Sequence, residues 1–124
     1  MSKDVILVKK IIEKIVFIGQ IVEQYGSIEM SLKDVVLSRA AILMHIEAIA
    51  EQFDKLSENR FFEILGRFNA DDIKGRRRVR NYIAHQYDEV DDDIIADIIK
   101  DRLPDIKSTC ENIMLIDSTK KTIK

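Results

Sequence analysis

The chain has 124 residues, of which 46% are hydrophobic, so it is long enough for one domain with a single core. It contains only four glycines and one proline, which excludes sandwich and barrel folds because those need many tight turns. One cysteine excludes an internal disulfide and a thiolate-rich zinc site, whereas the net charge of −2 excludes no class of partner.

No targeting or membrane segment is predicted. The first apolar residues are interrupted by Lys9, Lys10, Glu13 and Lys14, and no small-residue cleavage pattern follows, as a signal peptide would require. No apolar run approaches the roughly 18 residues that a membrane span needs. We therefore expect a soluble, cytoplasmic protein that does not associate with membranes.

The first segment, about residues 3–25, has the periodicity of an amphipathic helix. Its apolar side chains recur at alternating three- and four-residue steps, at Val8, Ile11, Ile15, Ile18, Val22 and Tyr25. Ile12, Val16 and Phe17 widen this stripe beyond what one partner helix would cover. Gly26 is predicted to end the helix in a left-handed conformation.

A second helix is predicted to begin after Ser31 and to run to about Lys55, with Asp34 completing a loose capping box. One apolar stripe consists of Val35, Ile42, Ile46, Ile49 and Phe53. A neighbouring stripe consists of Leu37, Ala41, Met44 and Ala48. Two stripes on each long helix predict packing on two sides, either within a four-helix core or also against a second subunit.

The second half of the chain is predicted to contain three more helices. Residues 58–68 should form a short helix whose apolar side chains anchor the core, at Phe61, Phe62, Leu65 and Phe68. Asn69 or Asp71 should cap a helix from about Asp72 to Ala84. A last long helix carries Ile95, Ile99, Ile106, Cys110 and Ile113, and Pro104 should kink or restart it.

These elements predict an all-α fold, an up-and-down bundle of four to five helices. We expect one domain over residues 1–118 and a frayed basic tail over residues 119–124.

Charge is distributed unevenly around residue 80. Residues 74–80 hold five positive charges and no acid, and residues 88–93 hold five acids. Four of the cations are candidates for RNA binding: Lys74, Arg76, Arg77 and Arg78. The alternative is a solvated face that pairs with the acids, although such exposed pairs contribute only about 0–1 kcal/mol each.

The adjoining segment Arg80-Asn81-Tyr82-Ile83-Ala84-His85-Gln86-Tyr87 carries residue types suited to cleaving RNA through its 2′-hydroxyl. His85 can accept or donate a proton near neutral pH, and Arg80 can donate hydrogen bonds to charge developing on phosphorus. The reaction requires no metal, and the sequence shows no metal-ligand spacing. Residues five apart lie roughly 140° around a regular helix. Arg80 and His85 therefore converge if the helix loosens or if two subunits each contribute a pair.

The string Arg-x4-His-x-Tyr, with Asn directly after the Arg, resembles the signature of the HepT branch of the HEPN superfamily. The Ile-Lys-Gly at residues 73–75, the Val-Asp-x-x-Ile-x-x-x-Ile at residues 90–98 and the Leu-Pro at residues 103–104 also resemble that branch. The likeness covers about residues 31–115. The chain lacks the tryptophan often found before the Arg, and residues 46–49 (Ile-Glu-Ala-Ile) stand where a Gly-Glu-Ala is usual.

The resemblance implies a helical homodimer with a composite, metal-independent ribonuclease cleft and no cofactor. In that cleft Arg80 and His85 would be catalytic, with Asn81 supporting them. It also implies a toxin that is paired with an MntA-type nucleotidyltransferase antitoxin, and Tyr87 is then the candidate for adenylylation. Two alternatives stay open: Tyr87 as a plain packing residue, and the whole chain as a catalytically silent module that binds a nucleotidyltransferase or its substrate.

Overall fold

The computed structural model describes residues 2–76 and 91–123, with side chains described as far as residue 119. Helix α1 spans Lys3–Tyr25, α2 spans Ile28–Lys33, α3 spans Ser38–Glu58 and α4 spans Phe62–Leu65. Residues 70–76 are helical and are labelled α5. Helix α6 spans Asp92–Asp97, a π-helical turn spans Ile98–Arg102, and α7 spans Leu103–Ile123. These described ranges contain no strand, so the predicted all-α fold is confirmed.

The core lies where α1 packs against α3 and α7. Its most completely buried side chains include Val8, Ile11 and Ile18 of α1, Ile42, Leu43 and Leu56 of α3, and Cys110 of α7. Each aliphatic side chain of this kind stabilises the fold by about 1.5–3 kcal/mol relative to exposure. The stripe predicted for α1 and most of the first stripe predicted for α3 are therefore confirmed. Burial raises the pKa of Cys110 to about 12, which keeps the thiol neutral within the core.

The predicted start of the second long helix at Ser31 is wrong. Ser31 is buried inside α2, where its hydroxyl donates to the carbonyl of Ile28 at 2.6 Å, and the N-cap is Ser27. The chain then leaves the helix at Asp34, whose carboxylate accepts from the Tyr25 hydroxyl at 2.7 Å and from the Leu37 amide at 3.1 Å. Since an aspartate that bonds nearby amides competes with the helical ladder, these contacts separate α2 from α3.

The same contacts stabilise the ionised form of Asp34. Its pKa is lowered by the Tyr25 hydrogen bond first and by the Leu37 amide second. Beyond the bend, the hydroxyl of Ser38 donates to the carbonyl of Ser31, which ties the first turn of α3 to α2.

The second stripe of α3 is not covered within the described part of the chain. Leu37 and Met44 are exposed, and Ala41 and Ala48 are half-buried. Val35, which was predicted to belong to the buried stripe, is also exposed because it lies in the bend.

The region predicted as one helix over residues 58–68 is a single helical turn, α4. Asn59 ends α3, where its side-chain amide donates to the carbonyl of Lys55 at 2.7 Å, and Arg60 then adopts a left-handed φ of 60°. Phe68 is buried edge-to-face against Phe53, with ring centroids 4.9 Å apart. Phe62 is exposed, so its prediction as a core anchor is wrong.

The helical backbone continues without a gap from Asp92 through the π-helical turn to Ile123, so the helix changes its spacing before Pro104 rather than restarting there. Pro104 is the second residue of α7 and has no N–H to donate to the preceding turn, and that turn takes the wider π spacing over Ile98–Arg102. No helix in residues 2–76 and 91–123 is long and apolar enough to cross a bilayer.

Two glycines of α1 provide a matched test of how this helix ends. Gly26 has a φ of 90°, whereas Gly19 lies inside the helix, and a Cβ added at either position would meet nothing within 4 Å. We expect Gly26→Ala to lower the free energy of unfolding by about 1–2 kcal/mol because it forces a left-handed alanine. Gly19→Ala should raise it by up to about 1 kcal/mol because alanine is the better helix former. Urea denaturation measures both values, and equal stability of the two variants would contradict the assigned cap.

Candidate functional site

The residues predicted to carry chemistry, Arg80, Asn81, His85 and Tyr87, lie outside the described residues, as do Arg77 and Arg78. The structure describes the chain directly before and directly after them. Helix α5 leads into the segment 77–90, and helix α6 follows it. The contacts of α5 and α6 with the rest of the fold therefore fix the positions of the residues on either side of this segment.

Helix α5 begins at Asn69, one of the two predicted caps. The Asn69 side-chain oxygen accepts from the amide of Asp71 at 2.9 Å, and its backbone carbonyl accepts from Asp72 and Ile73. Among the described residues of α5, Ile73 packs partly buried against the core.

Arg76 is bound within the fold. Its Nε lies 2.7 Å from Oδ1 of Asp54 on α3, and its Nη1 donates to the carbonyl of Ile73 at 2.5 Å. The side chains of Arg76 and Asp54 are each only 15% exposed. This ion pair therefore connects the last described turn of α5 to the C-terminal part of α3. RNA binding by Lys74, Arg76, Arg77 and Arg78 stays a prediction, but the geometry favours a structural role for Arg76.

A second ion pair joins α5 to the π-helical turn. Arg102 donates to both carboxylate oxygens of Asp72, at 2.8 and 2.6 Å, and also to Asp105 at 2.9 Å. Paired parallel hydrogen bonds of this kind fix orientation as well as distance. The bond to Asp72 is also the largest cause that raises the pKa of Arg102 above its usual value.

A small cavity of about 120 Å³ lies between α3, α5 and the π-helical turn. Its lining is mostly aliphatic and aromatic, with Ile46, Ile49, Phe53, Ile98 and Leu103 beside the paired Asp72 and Arg102. Pockets for drug-sized ligands usually measure about 300–1,000 Å³. The cavity is therefore too small for a nucleotide, and RNA would have to bind outside it.

The acidic residues Asp91 and Asp92, which follow the segment, cap and anchor the start of α6. The carboxylate of Asp91 caps this helix by accepting from the amide of Asp93 at 2.8 Å. The exposed Asp92 lies 2.8 Å from Nε of Arg39, whose side chain is only 5% exposed. Acids in a first turn also interact favourably with the helix dipole. Capping and anchoring thus account for Asp91 and Asp92, two of the five acids that the sequence suggested as partners of the arginine run.

Sequence reasoning missed both Arg39 and Asp54. Arg39 did carry a signal, because it stands three residues before Ile42 and therefore in phase with the buried stripe of α3. A charged residue at such a position needs a partner when it is buried. Asp54 carried no comparable signal, since it follows Phe53 at the margin of the stripe.

His45, the histidine outside the motif, packs against an aromatic ring. Its ring centroid lies 5.4 Å from that of Phe17. Burial first and the charge of Lys14 second lower its pKa. His45 is therefore a neutral packing group at neutral pH.

Comparison with known proteins identifies the family. The family model described as "Ribonuclease HepT-like" matches residues 11–113, which include α5, the segment 77–90 and α6. The chain belongs to the HepT-like ribonuclease family, and the family predicted from the motif is confirmed. A search of curated proteins and a search of solved structures found no match.

Two neighbouring cations of α5 separate a structural from a solvated role. We expect Arg76→Ala to lower the free energy of unfolding by about 1.5–3 kcal/mol, because it leaves Asp54 buried without this partner. Lys74→Ala, at an exposed position, should change it by less than about 0.5 kcal/mol. Urea denaturation provides both values, and a cycle with Asp54→Ala should show that the two losses are not additive. If Arg76→Ala were as stable as Lys74→Ala, the structural role of this ion pair would be rejected.

Proposed function

We propose that the chain is a toxin-type endoribonuclease that cleaves RNA through the 2′-hydroxyl without a metal ion. The observation that carries this proposal is the family match over residues 11–113, together with an arginine and a histidine at the motif positions inside it. Arg80 and His85 are the residue types that such a reaction needs. Among the described residues, His45 is a packing group, which leaves His85 as the candidate acid and base.

In the proposed reaction His85 removes the proton from a ribose 2′-hydroxyl, and the oxygen attacks the adjacent phosphorus. The bond from phosphorus to the 5′-oxygen breaks, and an imidazolium returns a proton to that leaving oxygen. Arg80 donates hydrogen bonds to the phosphoryl oxygens as their negative charge grows, with Asn81 supporting it. The products are a 2′,3′-cyclic phosphate and a 5′-hydroxyl.

We propose that the active form is a homodimer. On a regular helix, residues five apart such as Arg80 and His85 would lie roughly 140° apart, so two subunits that each contribute a pair would give a simpler site than one. The exposed stripe of α3 at Leu37 and Met44 supports this proposal, because a second subunit would remove its apolar surface from water.

Purified protein should cleave single-stranded RNA in the presence of a chelator and leave 2′,3′-cyclic phosphate ends. Arg80→Ala and His85→Ala should each lower kcat by about 100-fold or more, as the loss of a general acid–base or an electrostatic group does. Light scattering of the active protein should give twice the 14.4 kDa mass of the chain. Expression of the unaltered chain alone should arrest growth.

The matched control is His45→Gln, which removes the packing histidine and should retain cleavage. Magnesium-dependent cleavage would contradict the mechanism, and a monomer would contradict the dimer. If the purified protein cuts no RNA but binds a nucleotidyltransferase, the chain is the silent interaction module instead.

We further propose that an MntA-type nucleotidyltransferase silences the toxin by transferring AMP to the hydroxyl of Tyr87. Tyr87 follows His85 by two residues and is nearly aligned with Arg80 on a helical projection. An attached AMP would place a phosphodiester charge beside a surface that attracts phosphate. The modified side chain would then compete with RNA for the same cations.

Tyr87→Phe distinguishes this control from plain packing, because it keeps the ring and removes the acceptor hydroxyl. We expect the variant to stay folded, to keep most of its cleavage activity, and to resist neutralisation by the cognate nucleotidyltransferase with ATP. Mass spectrometry should detect ~329 Da increments on the unaltered protein and on the control Tyr82→Phe. Equal labelling of Tyr87→Phe would show that Tyr87 is not the acceptor.

A further inference from the structure

Two ion pairs join one helix, α3, to residues on either side of the segment 77–90. Asp54 holds Arg76 at 2.7 Å, and Arg39 holds Asp92 at 2.8 Å. Arg76 is the last described residue before the segment, and Asp92 is the first residue of α6 after it. The segment that carries Arg80 and His85 is therefore anchored at both ends to the same element.

The two anchors lie along one side of α3. Arg39 and Asp54 are about four helical turns apart, which is roughly 22 Å along the axis, and about 60° apart around it. The chain enters the segment beside the C-terminal part of α3 and leaves it beside the N-terminal part.

Stability alone is a poor explanation for these pairs. The Arg39 side chain is 5% exposed and those of Asp54 and Arg76 are 15% exposed, so these three charges are largely removed from water, whereas Asp92 is 54% exposed. Replacing buried ion pairs with apolar side chains of similar volume is often neutral or stabilising. The guanidinium group, however, forms directed hydrogen bonds in a rigid plane, and an apolar contact supplies no such direction.

Direction matters for a site whose acid, base and cation must align with one phosphate. A displacement of about 1 Å can cost a catalyst on the order of 100-fold in rate. We propose that Arg39 and Asp54 are positioning residues of the ribonuclease, which place the segment with Arg80 and His85 through their ion pairs with Asp92 and Arg76. This inference rests on the proposed function, and it assigns both α3 residues a role that acts through Asp92 and Arg76.

Removing one charge at each anchor tests the proposal without emptying the core. We expect Asp92→Asn and Asp54→Asn each to lower kcat by about 10-fold or more, with a KM for RNA that changes less than about two-fold. The matched controls are Asp93→Asn, in the same first turn of α6, and Glu51→Gln, one turn earlier on α3 in an exposed pair with Lys55. Both controls should retain the kcat of the unaltered protein. Asp92→Glu and Asp54→Glu restore a carboxylate and should recover most of the lost kcat.

Two readouts separate positioning from a general loss of stability. Gly26→Ala lowers stability through the end of α1 and leaves the side chains of both anchors in place, so it should leave kcat unchanged at a temperature where the protein is folded. Hydrogen exchange measured by mass spectrometry should speed up over residues 77–90 in Asp92→Asn and Asp54→Asn, by about 10-fold or more, and remain unchanged over α1.

The outcomes also distinguish this inference from the proposed function. If the unaltered protein cuts RNA and both anchor variants cut it equally well, the ribonuclease stands and the positioning role is overturned. If the unaltered protein cuts no RNA, the ribonuclease proposal fails and hydrogen exchange alone decides whether the pairs position the segment. Faster exchange confined to residues 77–90 supports anchoring, whereas exchange that matches the Asp93→Asn and Glu51→Gln controls overturns it.

Discussion

The burial of one face of α3 is the constraint on which the rest of the structure depends. Ile42, Leu43 and Leu56 are fully enclosed where α3 meets α1, and burial of such side chains contributes about 1.5–3 kcal/mol each. This packing fixes the rotation of α3 about its axis. This rotation also sets the directions in which the side chains of Arg39 and Asp54 extend. Arg39 contacts Asp92 after the segment 77–90, and Asp54 contacts Arg76 before it. The apolar core and the polar anchors are thus consequences of one helix orientation.

How much of the fold could be predicted from sequence depended on how local the deciding contact was. Helix α1 and its left-handed end at Gly26 were predictable because periodicity and a terminal glycine are local signals. The bend at Asp34 was not, because the Asp34 carboxylate also accepts from the hydroxyl of Tyr25, which lies on another helix. Phe62 was misjudged because a one-turn helix has too few residues for periodicity to show which side faces the core.

The candidate site likewise has a part that sequence could predict and a part that it could not. The motif at Arg80 and His85 is contiguous, so sequence alone could indicate a family and a chemistry, and the match over residues 11–113 supports the family. The anchors were hidden because Arg39 and Asp92 are 53 residues apart and Asp54 and Arg76 are 22 apart. No local rule pairs charges over such separations. What sequence could have shown is the anomaly of Arg39, a charged residue in phase with a buried stripe.

The ion pair between Arg76 and Asp54 and the proposed RNA contacts of the neighbouring cations should respond differently to salt. Within residues 70–76, Ile73 is partly buried against the core, and the bond between Arg76 and Asp54 adds a polar attachment one turn further on. Charges that are 15% exposed or less are screened by salt much less than charges in solvent. RNA affinity that depends on exposed cations falls steeply as salt rises, because phosphate contacts release counterions. Raising the ionic strength should therefore weaken RNA binding before it displaces the segment, and binding and positioning become separable properties of one basic run.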